Sequence, residues 1–452
     1  MFNRKIEANL QEWKDRSKRK PLILRGARQT GKTTLVRKFA SRFGRLIELN
    51  LEKDAIRKIF DEVRDIKQVI QSIEGIANQR IVPGESLLFL DEIQNSVSAI
   101  KLLRYFYEEM PGLHVIAAGS LLEVRMKKEG WSFPVGRVEF LYLFPVTFEE
   151  FLSALGEDVL MDALLHYQPD KPLPIPLHEK LTDLIADYMI VGGLPEAVDT
   201  YAKSRSFASV KNCHETLVSS FKEDFAKYSK ASEVEYLKLV WDRVPFEIGN
   251  RIKYSKIAGS NAASHNISRA FDILHEAMLV ERIFPTTHLA LPLAAKPKAS
   301  PKAVFLDIGL CCHALHLTKD QVKEKILNPV YGGALFEEFV GQELLSSDFQ
   351  HRNPLYFWTR EEKGTCSELD FLVSVGNRII PVEVKSGSHG SLKSLHQFLC
   401  RSGTSLGVRV CNRPLQIEDH LLTTPDGKQL NYKLLSLPFY LVFRLPDILE
   451  LI

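Results

Sequence analysis

Two groups of residues in this chain have the types and spacing that chemistry requires. The first is Gly26-Ala27-Arg28-Gln29-Thr30-Gly31-Lys32-Thr33, followed by Thr34. The spacing of its two glycines and of the Lys-Thr pair matches the loop that cradles phosphates. Glycines let successive backbone N–H groups turn toward one anion. A helix beginning near Lys32 would add its positive end to the same spot. Lys32 is expected to reach the β and γ phosphates, and the Thr33 hydroxyl to coordinate Mg²⁺. Asp91 and Glu92 follow the apolar run Leu87–Leu90. Asp91 would hold the Mg²⁺ directly or through water, and Glu92 would orient or polarise an attacking water. Gly26 to Thr34 and Asp91 are thus the expected contacts of ATP with Mg²⁺. Ser120, after the apolar run Val115–Ala118, either senses the γ-phosphate or caps the helix from Leu121 onward. Arg137 either stabilises the charge of phosphoryl transfer or is a solvated strand-end residue.

The second group lies near the other end. Ser367-Glu368-Leu369-Asp370-Phe371-Leu372-Val373 is followed by Ile380-Pro381-Val382-Glu383-Val384-Lys385-Ser386. On a strand, residues two apart share a face, so Glu383 and Lys385 point together while Val382 and Val384 face the core. Asp370 and Glu383 could then share a divalent metal, with Lys385 steadying a hydroxide or a phosphate. The blander reading is a charged strand pair forming a structural network. Between the two stands a fold that binds nucleic acid or a partner without cutting.

The elements that must position these groups follow from pattern. Leu22–Arg25, Leu46–Leu51, Leu87–Leu90, Val115–Ala118 and Val138–Leu143 read as strands, with helices such as Ile100–Glu109 between them. That alternation predicts a parallel α/β sheet. A helical region starts at Phe148, breaks at the proline-rich stretch 170–176, and is interrupted again at Gly192-Gly193-Leu194-Pro195. A short helix at Lys256–Gly259 precedes a second, capped by Ser264, with Ile267, Ala270, Phe271 and Leu274 on one face. A strand at Leu279–Phe284 completes the outline of a winged helix. Residues 291–301 read as a loop. From Tyr331 onward a helix, strands at Pro354–Trp358, Glu368–Val375 and Arg378–Val384, and a helix near Leu392–Leu399 form an α+β unit.

With 452 residues the chain exceeds one hydrophobic core, so roughly two to four domains are expected. The net charge of +3 neither demands nor forbids a nucleic-acid partner, so any basic surface must be local. The charged start, Met1 to Lys20, lacks the apolar stretch of a secretory signal, and no run is long enough for a transmembrane helix. The six cysteines are scattered without a Cys-x-x-Cys pair, which fits a cytoplasmic, reducing setting. Cys311-Cys312-His313 and His316 fit no common zinc spacing and read as helix core. Tyr356-Phe357-Trp358 reads as core rather than a base-stacking platform.

Taken together, Gly26–Thr34, Leu90-Asp91-Glu92-Ile93-Gln94, Ala118-Gly119-Ser120 and Gly136-Arg137 leading to Phe144-Pro145-Val146-Thr147-Phe148 resemble a known group. Gly192-Gly193-Leu194-Pro195 and Phe305-Leu306-Asp307-Ile308-Gly309-Leu310 resemble it too. It is the prokaryotic AAA-type P-loop ATPases of the extended ASCE class that carry a C-terminal domain of unknown function. The resemblance implies an ATPase core at 1–150, a helical lid at 151–230 and a winged-helix-like domain at 231–300. It further implies a restriction-endonuclease-like α+β domain at 301–452. Asp370, Glu383 and Lys385 look like the PD-(D/E)xK nuclease signature, although Leu369 stands where a proline is usual. That signature places a further acid on the preceding helix, here Glu337 or Glu338, and Gln397 resembles a glutamine of resolvase-like domains.

Two functions are compatible with these residues. One is an ATPase whose nucleotide state controls a nuclease-like domain acting on DNA. The other is an ATP-dependent switch that recruits a protein partner or further copies of the chain, with the nuclease-like fold idle. His265, Asn266, Ser268, Arg269, Asp272 and His275 on the second winged helix make a poor phosphate-binding face, which favours the second. A small-molecule kinase would need an acceptor pocket that nothing identifies.

Overall fold

The computed structural model of the chain describes residues 2–61, 65–120, 122–168, 173–259, 263–327, 333–362, 365–387, 391–424 and 427–452. Five strands near the N-terminus are β1 (Leu22–Arg25), β2 (Arg45–Asn50), β3 (Ser86–Asp91), β4 (His114–Ala118) and β5 (Glu139–Tyr142). They form one sheet in the order β2-β3-β4-β1-β5, with every pairing parallel. Side-chain alternation sends Leu88 and Leu90 of β3 into one core and Leu87 and Phe89 into another on the opposite face. A strand buried on both faces must be apolar throughout, which is why β3 lacks the polar alternation of an exposed sheet. The helices of this region are α1 (Glu7–Asp15), α2 (Lys32–Phe39), α3 (Asp54–Asp61), α4 (Ile66–Ala77), α5 (Val97–Glu109) and α6 (Leu122–Glu129). The sheet matches the parallel α/β expectation and is a P-loop NTPase fold.

A helical stretch follows: α7 (Phe148–Ala154), α8 (Asp158–Leu165), α9 (Ile175–Val191), α10 (Pro195–Ser204), α11 (Phe207–Tyr228) and α12 (Ala231–Glu247). Thr147 and Glu150 start α7 with a reciprocal capping box. The expected break at 170–176 is shorter where it can be seen. Asp170, Lys171 and Pro172 lie outside the described residues, and α9 has already begun at Ile175. Pro176 is tolerated there because a first-turn residue needs no N–H partner within the helix. Next come α13 (Tyr254–Ala258), α14 (Ser264–Glu276) and β6 (Val280–Thr286). Ser264 is the first helical residue rather than the cap: Ala263 holds the cap position, with no side-chain bond.

The remaining elements are β7 (Lys302–Phe305), α15 (Ile308–Ala314), α16 (Lys319–Leu327), α17 (Gly333–Leu345), β8 (Tyr356–Glu362), β9 (Thr365–Val375) and β10 (Arg378–Val384). They are followed by α18 (Lys393–Ser402), β11 (Leu406–Val410), β12 (Gln416–Thr423), β13 (Gln429–Leu437) and α19 (Leu445–Glu450). Eight strands form a mixed sheet in the order β12-β13-β11-β10-β9-β8-β6-β7. β6 pairs antiparallel with β7 and parallel with β8. It therefore continues into the C-terminal sheet instead of ending in a free hairpin, and the expected boundary at 300/301 falls between two paired strands. Phe357 and Trp358 are buried, as expected of core residues, and Trp358 meets Phe398 edge-on.

The halves are joined by polar contacts in the interior. The fully buried Asp307 accepts the Gly193 N–H at 2.6 Å and the Leu310 N–H at 3.0 Å, so one carboxylate both caps α15 and holds the α9–α10 hinge. Gly192 has φ +75°, and a Cβ there would lie 2.2 Å from Asp307 Oδ1. Nothing larger than glycine fits, which explains the Gly192-Gly193 pair. Below the hinge, His214 of α11 is buried, with Nε2 3.0 Å from the Val191 carbonyl. Burial, aided by His313, pushes its pKa down to about 4, while the Val191 contact opposes this.

His214 yields a prediction about pH. Its folded pKa lies below the unfolded value, so neutral His214 favours the folded state above about pH 6.5, and that advantage is lost as pH falls toward 4. Its full loss is worth roughly 3 kcal/mol. Denaturant unfolding at pH 7 and pH 4 should show His214→Gln losing less stability on acidification than wild type by about that amount.

Candidate functional site

The glycine loop leaves β1 at Arg25 and enters α2 at Lys32. Gly26 (φ +156°), Gln29 (φ +65°) and Gly31 (φ +89°) turn it. Gly26 also permits a close approach: a Cβ would lie 2.4 Å from the Leu143 carbonyl oxygen. The Thr30 hydroxyl donates to the Ala27 carbonyl at 2.9 Å and fixes the curve from inside. Lys32 Nζ folds back onto the carbonyls of Gly26 (3.0 Å) and Ala27 (2.8 Å). Burial pushes its pKa down to about 8 against the pull of Glu92 and Asp91, and the nearby Arg28 charge adds to the lowering.

Asp91 stands at the end of β3, and the Thr33 hydroxyl donates to its Oδ2 at 2.9 Å. Burial raises its pKa, while the Thr33 bond opposes the rise. These two oxygen ligands, a hydroxyl and a carboxylate in contact beside the lysine, are the donor set that suits Mg²⁺, so the residues fit the ion. Glu92 takes a left-handed φ of +52°, and its carboxylate accepts from Gln94 Nε2. A Cβ on Gly119 would lie 2.3 Å from Gln94 Oε1, so the glycine after β4 makes room for this side chain. Ser120, buried, follows just beyond the C-terminal end of β4.

Three contacts around the loop were not expected. Arg4, ahead of α1, donates to the carbonyls of Phe144 (2.8 Å) and Thr30 (3.3 Å) and pairs with Glu150 at 3.0 Å. Arg28 pairs with Asp224 of α11 at 2.6 Å. Pro195 at the start of α10 sits against Gly31. A cavity of about 470 Å³, lined by Phe2, Gln29, Thr34, Lys38, Pro195 and Glu196, opens between α2 and α10. No local pattern marks Arg4 or Asp224, because each meets its partner only through the fold. Gln94, two residues past Glu92, lies in the stretch Leu90-Asp91-Glu92-Ile93-Gln94 on which the resemblance rests.

Arg137 is not brought to the loop. β5 runs parallel to β1, and Glu139 pairs with Leu22, so Arg137 lies at the opposite end of the strand from the glycines. Its Nε pairs with Glu108 at 2.8 Å, on the surface.

In the C-terminal sheet, Asp370 on β9 and Glu383 on β10 come together next to the Val382–Phe371 pair. Asp370 Oδ2 accepts the Val384 N–H at 2.8 Å, and Lys385 Nζ lies 2.6 Å from Glu383 Oε1. Of the two helical acids, Glu337 faces this cluster, whereas Glu338 accepts the Phe305 N–H at 2.7 Å. A residue absent from the sequence expectation occupies the middle. Lys302 Nζ lies 2.7 Å from Glu337, 2.7 Å from Glu368 and 3.8 Å from Asp370. Arg251 holds the other oxygen of Glu368 at 2.8 Å. Burial raises Glu337, Asp370 and Glu383 from their ordinary values, and the Asp370 charge adds to the rise at Glu337 and Glu383. Burial alone would lower Lys302, but Glu337, Asp370 and Glu368 outweigh it and keep the ammonium protonated. In this arrangement Glu337 does not fit the role of a metal ligand, because the lysine holds it. Glu383 Oε2 and Gln397 Oε1 are buried without a hydrogen-bond partner among the described residues. Among those residues no group of three or more His, Cys, Asp or Glu side chains is arranged to hold a metal ion.

Residues 18–152 match the family described as an AAA domain. The chain carries an AAA-type P-loop domain. Residues 182–321 and 332–425 match two further families, each described as a domain of unknown function (DUF8612 and DUF4143). No curated protein matches the chain. Among solved structures, the ORC2 protein of Aeropyrum pernix in its ADPNP–ADP complexes is 13% identical, covering 72% of this chain and 93% of its own, at a TM-score of 0.34. Drosophila ORC bound to DNA is also 13% identical, covering 69% and 85%, at a TM-score of 0.26. The AAA-type assignment stands on the domain match and on the loop's own geometry. No helix among the described residues is long and apolar enough to cross a membrane.

The position of Arg137 gives a direct test. Arg137→Ala should leave the affinity of the isolated protomer for a fluorescent ATP analogue within about twofold of wild type, since a surface pair of this kind contributes little. A loss of more than about tenfold would place the arginine on the nucleotide after all.

Proposed function

We propose that this protein binds and hydrolyses ATP with Mg²⁺, and that its nucleotide state governs a C-terminal PD-(D/E)xK-like domain acting on DNA. The observation that carries the ATP half is the 2.9 Å bond between Thr33 and Asp91 beside the buried Lys32. Thr33 and Asp91 would hold Mg²⁺, which supplies charge neutralisation at the phosphates. Lys32, now bonded to its own loop, turns outward to the β and γ phosphates. Gly26 to Thr34 present backbone N–H groups, and the cavity beside Phe2, Thr34 and Pro195 takes the base. Glu92, held by Gln94, orients the attacking water, and Ser120 lies at the edge where the γ-phosphate sits.

Residues 1–150 act as the ATPase core and 151–230 as the lid. The contact of Pro195 with Gly31 and the Arg28–Asp224 pair give the lid two means of sensing the loop. Residues 231–300 are read as winged-helix-like, and 301–452 as the effector.

A second reading is that the effector recruits a protein partner, or further copies of the chain, without cutting. One observation favours it: the charges of α14 are already paired. Arg269 binds Glu233 at 2.7 Å, Asp272 binds Arg282 at 2.6 Å, and His275 binds Glu281 at 3.2 Å. Such a face has little left for phosphates.

Turnover and cleavage separate these readings. Lys32→Ala should abolish ATP binding, whereas Glu92→Gln should bind ATP and lose about 100-fold in hydrolysis. Labelled single-stranded, duplex and branched DNAs should be cut by wild type and not by Glu383→Ala. Hydrolysis with no cleavage on any substrate would move the effector to the second reading.

A further inference from the structure

We propose that Lys302 is a built-in cation that closes the C-terminal acidic centre to divalent metal in the resting protein, so that metal loads only when this side chain leaves. The inference rests on reading that centre as nuclease-like and specifies how it is kept shut.

The position of the lysine is fixed by backbone. Pro301 accepts the Ile252 N–H at 2.7 Å, and Lys302 pairs with Ile283 across β6–β7. Its side chain is only 5% exposed and can reach no bulk water for its charge. An ammonium has three donors, and two of them meet Glu337 and Glu368 at 2.7 Å. The Phe357 ring lies 5.2 Å from Nζ. A buried ammonium so placed is held by charge-assisted bonds.

The acids around it are otherwise engaged. The Arg251 guanidinium holds the far side of Glu368, the Val384 N–H holds Asp370 Oδ2, and Lys385 holds Glu383 Oε1. Glu383 Oε2 is left without a hydrogen-bond partner among the described residues, and Asp370 Oδ1 is 3.8 Å from Nζ. A divalent ion bound to Asp370 Oδ1 would sit beside the ammonium and be repelled by it. Glu337, the helical acid that would complete a metal set, is one of the two that Lys302 holds at 2.7 Å.

The strand that carries this lysine has a route to the nucleotide. β7 is an edge strand of its sheet. It runs through Leu306 into Asp307, which binds the Gly193 N–H of the lid hinge. Gly193 in turn accepts the Val146 N–H at 2.6 Å, a few residues beyond the strand that flanks the glycine loop. Movement of the hinge therefore pulls on the segment from which Lys302 projects.

The test is Mn²⁺ binding to the full, nucleotide-free chain, counting only sites lost with Asp370→Asn. Lys302→Met should bind Mn²⁺ about 100-fold or more tightly than wild type. The double variant with Asp370→Asn should lose that site. Lys302→Gln, which keeps chain length and a donor, takes its place should the Met variant fail to fold. Equal Asp370-dependent binding by wild type and the Lys302 variants would overturn the closure while leaving the metal centre standing. Folded variants that gain no Asp370-dependent Mn²⁺ site would remove the metal centre and the closure together.

Discussion

The buried face of α17 carries Glu338, Gln342 and Glu343, and each accepts a backbone N–H from a different segment. Glu338 takes Phe305 of β7, Gln342 takes Ile308 of α15, and Glu343 takes Phe148 of α7. Gln342 also donates to the Tyr188 hydroxyl, which bonds the Val146 carbonyl. A buried polar group without a partner is costly, so each bond can be lost only with its whole neighbourhood. α17 is thus the point at which β7, α15 and the start of α7 share one interior. Glu337, on the adjoining face, belongs to the acidic centre. A single residue step along the helix accordingly separates a contact inside that centre from a contact that fixes β7.

This arrangement makes the hinge at Gly192-Gly193 stiff in a particular sense. Asp307 grips it from the C-terminal side, and Gly309 approaches so closely that a Cβ there would lie 2.6 Å from Gly192 Cα. Pro195, at the start of α10, touches Gly31. Small shifts of the glycine loop are therefore passed to packed backbone rather than absorbed by solvent, because close-packed interiors do not deform continuously.

Much of the first half was legible in the sequence because its signals are local. The glycines, Lys32 and Thr33 are contiguous, and an apolar strand buried on both faces announces itself through Leu87–Leu90. The strands ended within a residue or two of expectation. Asp370 and Glu383 also come together as strand alternation implied. What stayed hidden depends on meetings between distant segments. Lys302 opens a short apolar strand just past the loop read at 291–301. Nothing near it in sequence says that Glu337, Glu368 and Asp370 will surround it. Asp307 caps α15, but its second bond, to Gly193, has no local trace. For Arg137 the sequence left two roles open, and parallel pairing, which puts it at the far end of the strand from the glycines, leaves the solvated strand-end one. β6 read as the close of a small unit, and only the long-range pairing with β8 shows where it goes.

The strand order also bears on how copies of this chain can meet. β5 is an edge of the five-stranded sheet, and such an edge ordinarily offers its backbone to any passing strand. Here the Tyr142 N–H donates to the Phe349 carbonyl at 2.8 Å, and the Phe349 ring is buried in the core on that side of the sheet. The segment after α17 thus acts as a guard on the edge, blocking strand exchange with a neighbour at β5. Freeing that edge would mean peeling Phe349 from the core and loosening the end of α17. Assembly by edge pairing would therefore disturb the same helix that organises the acidic centre.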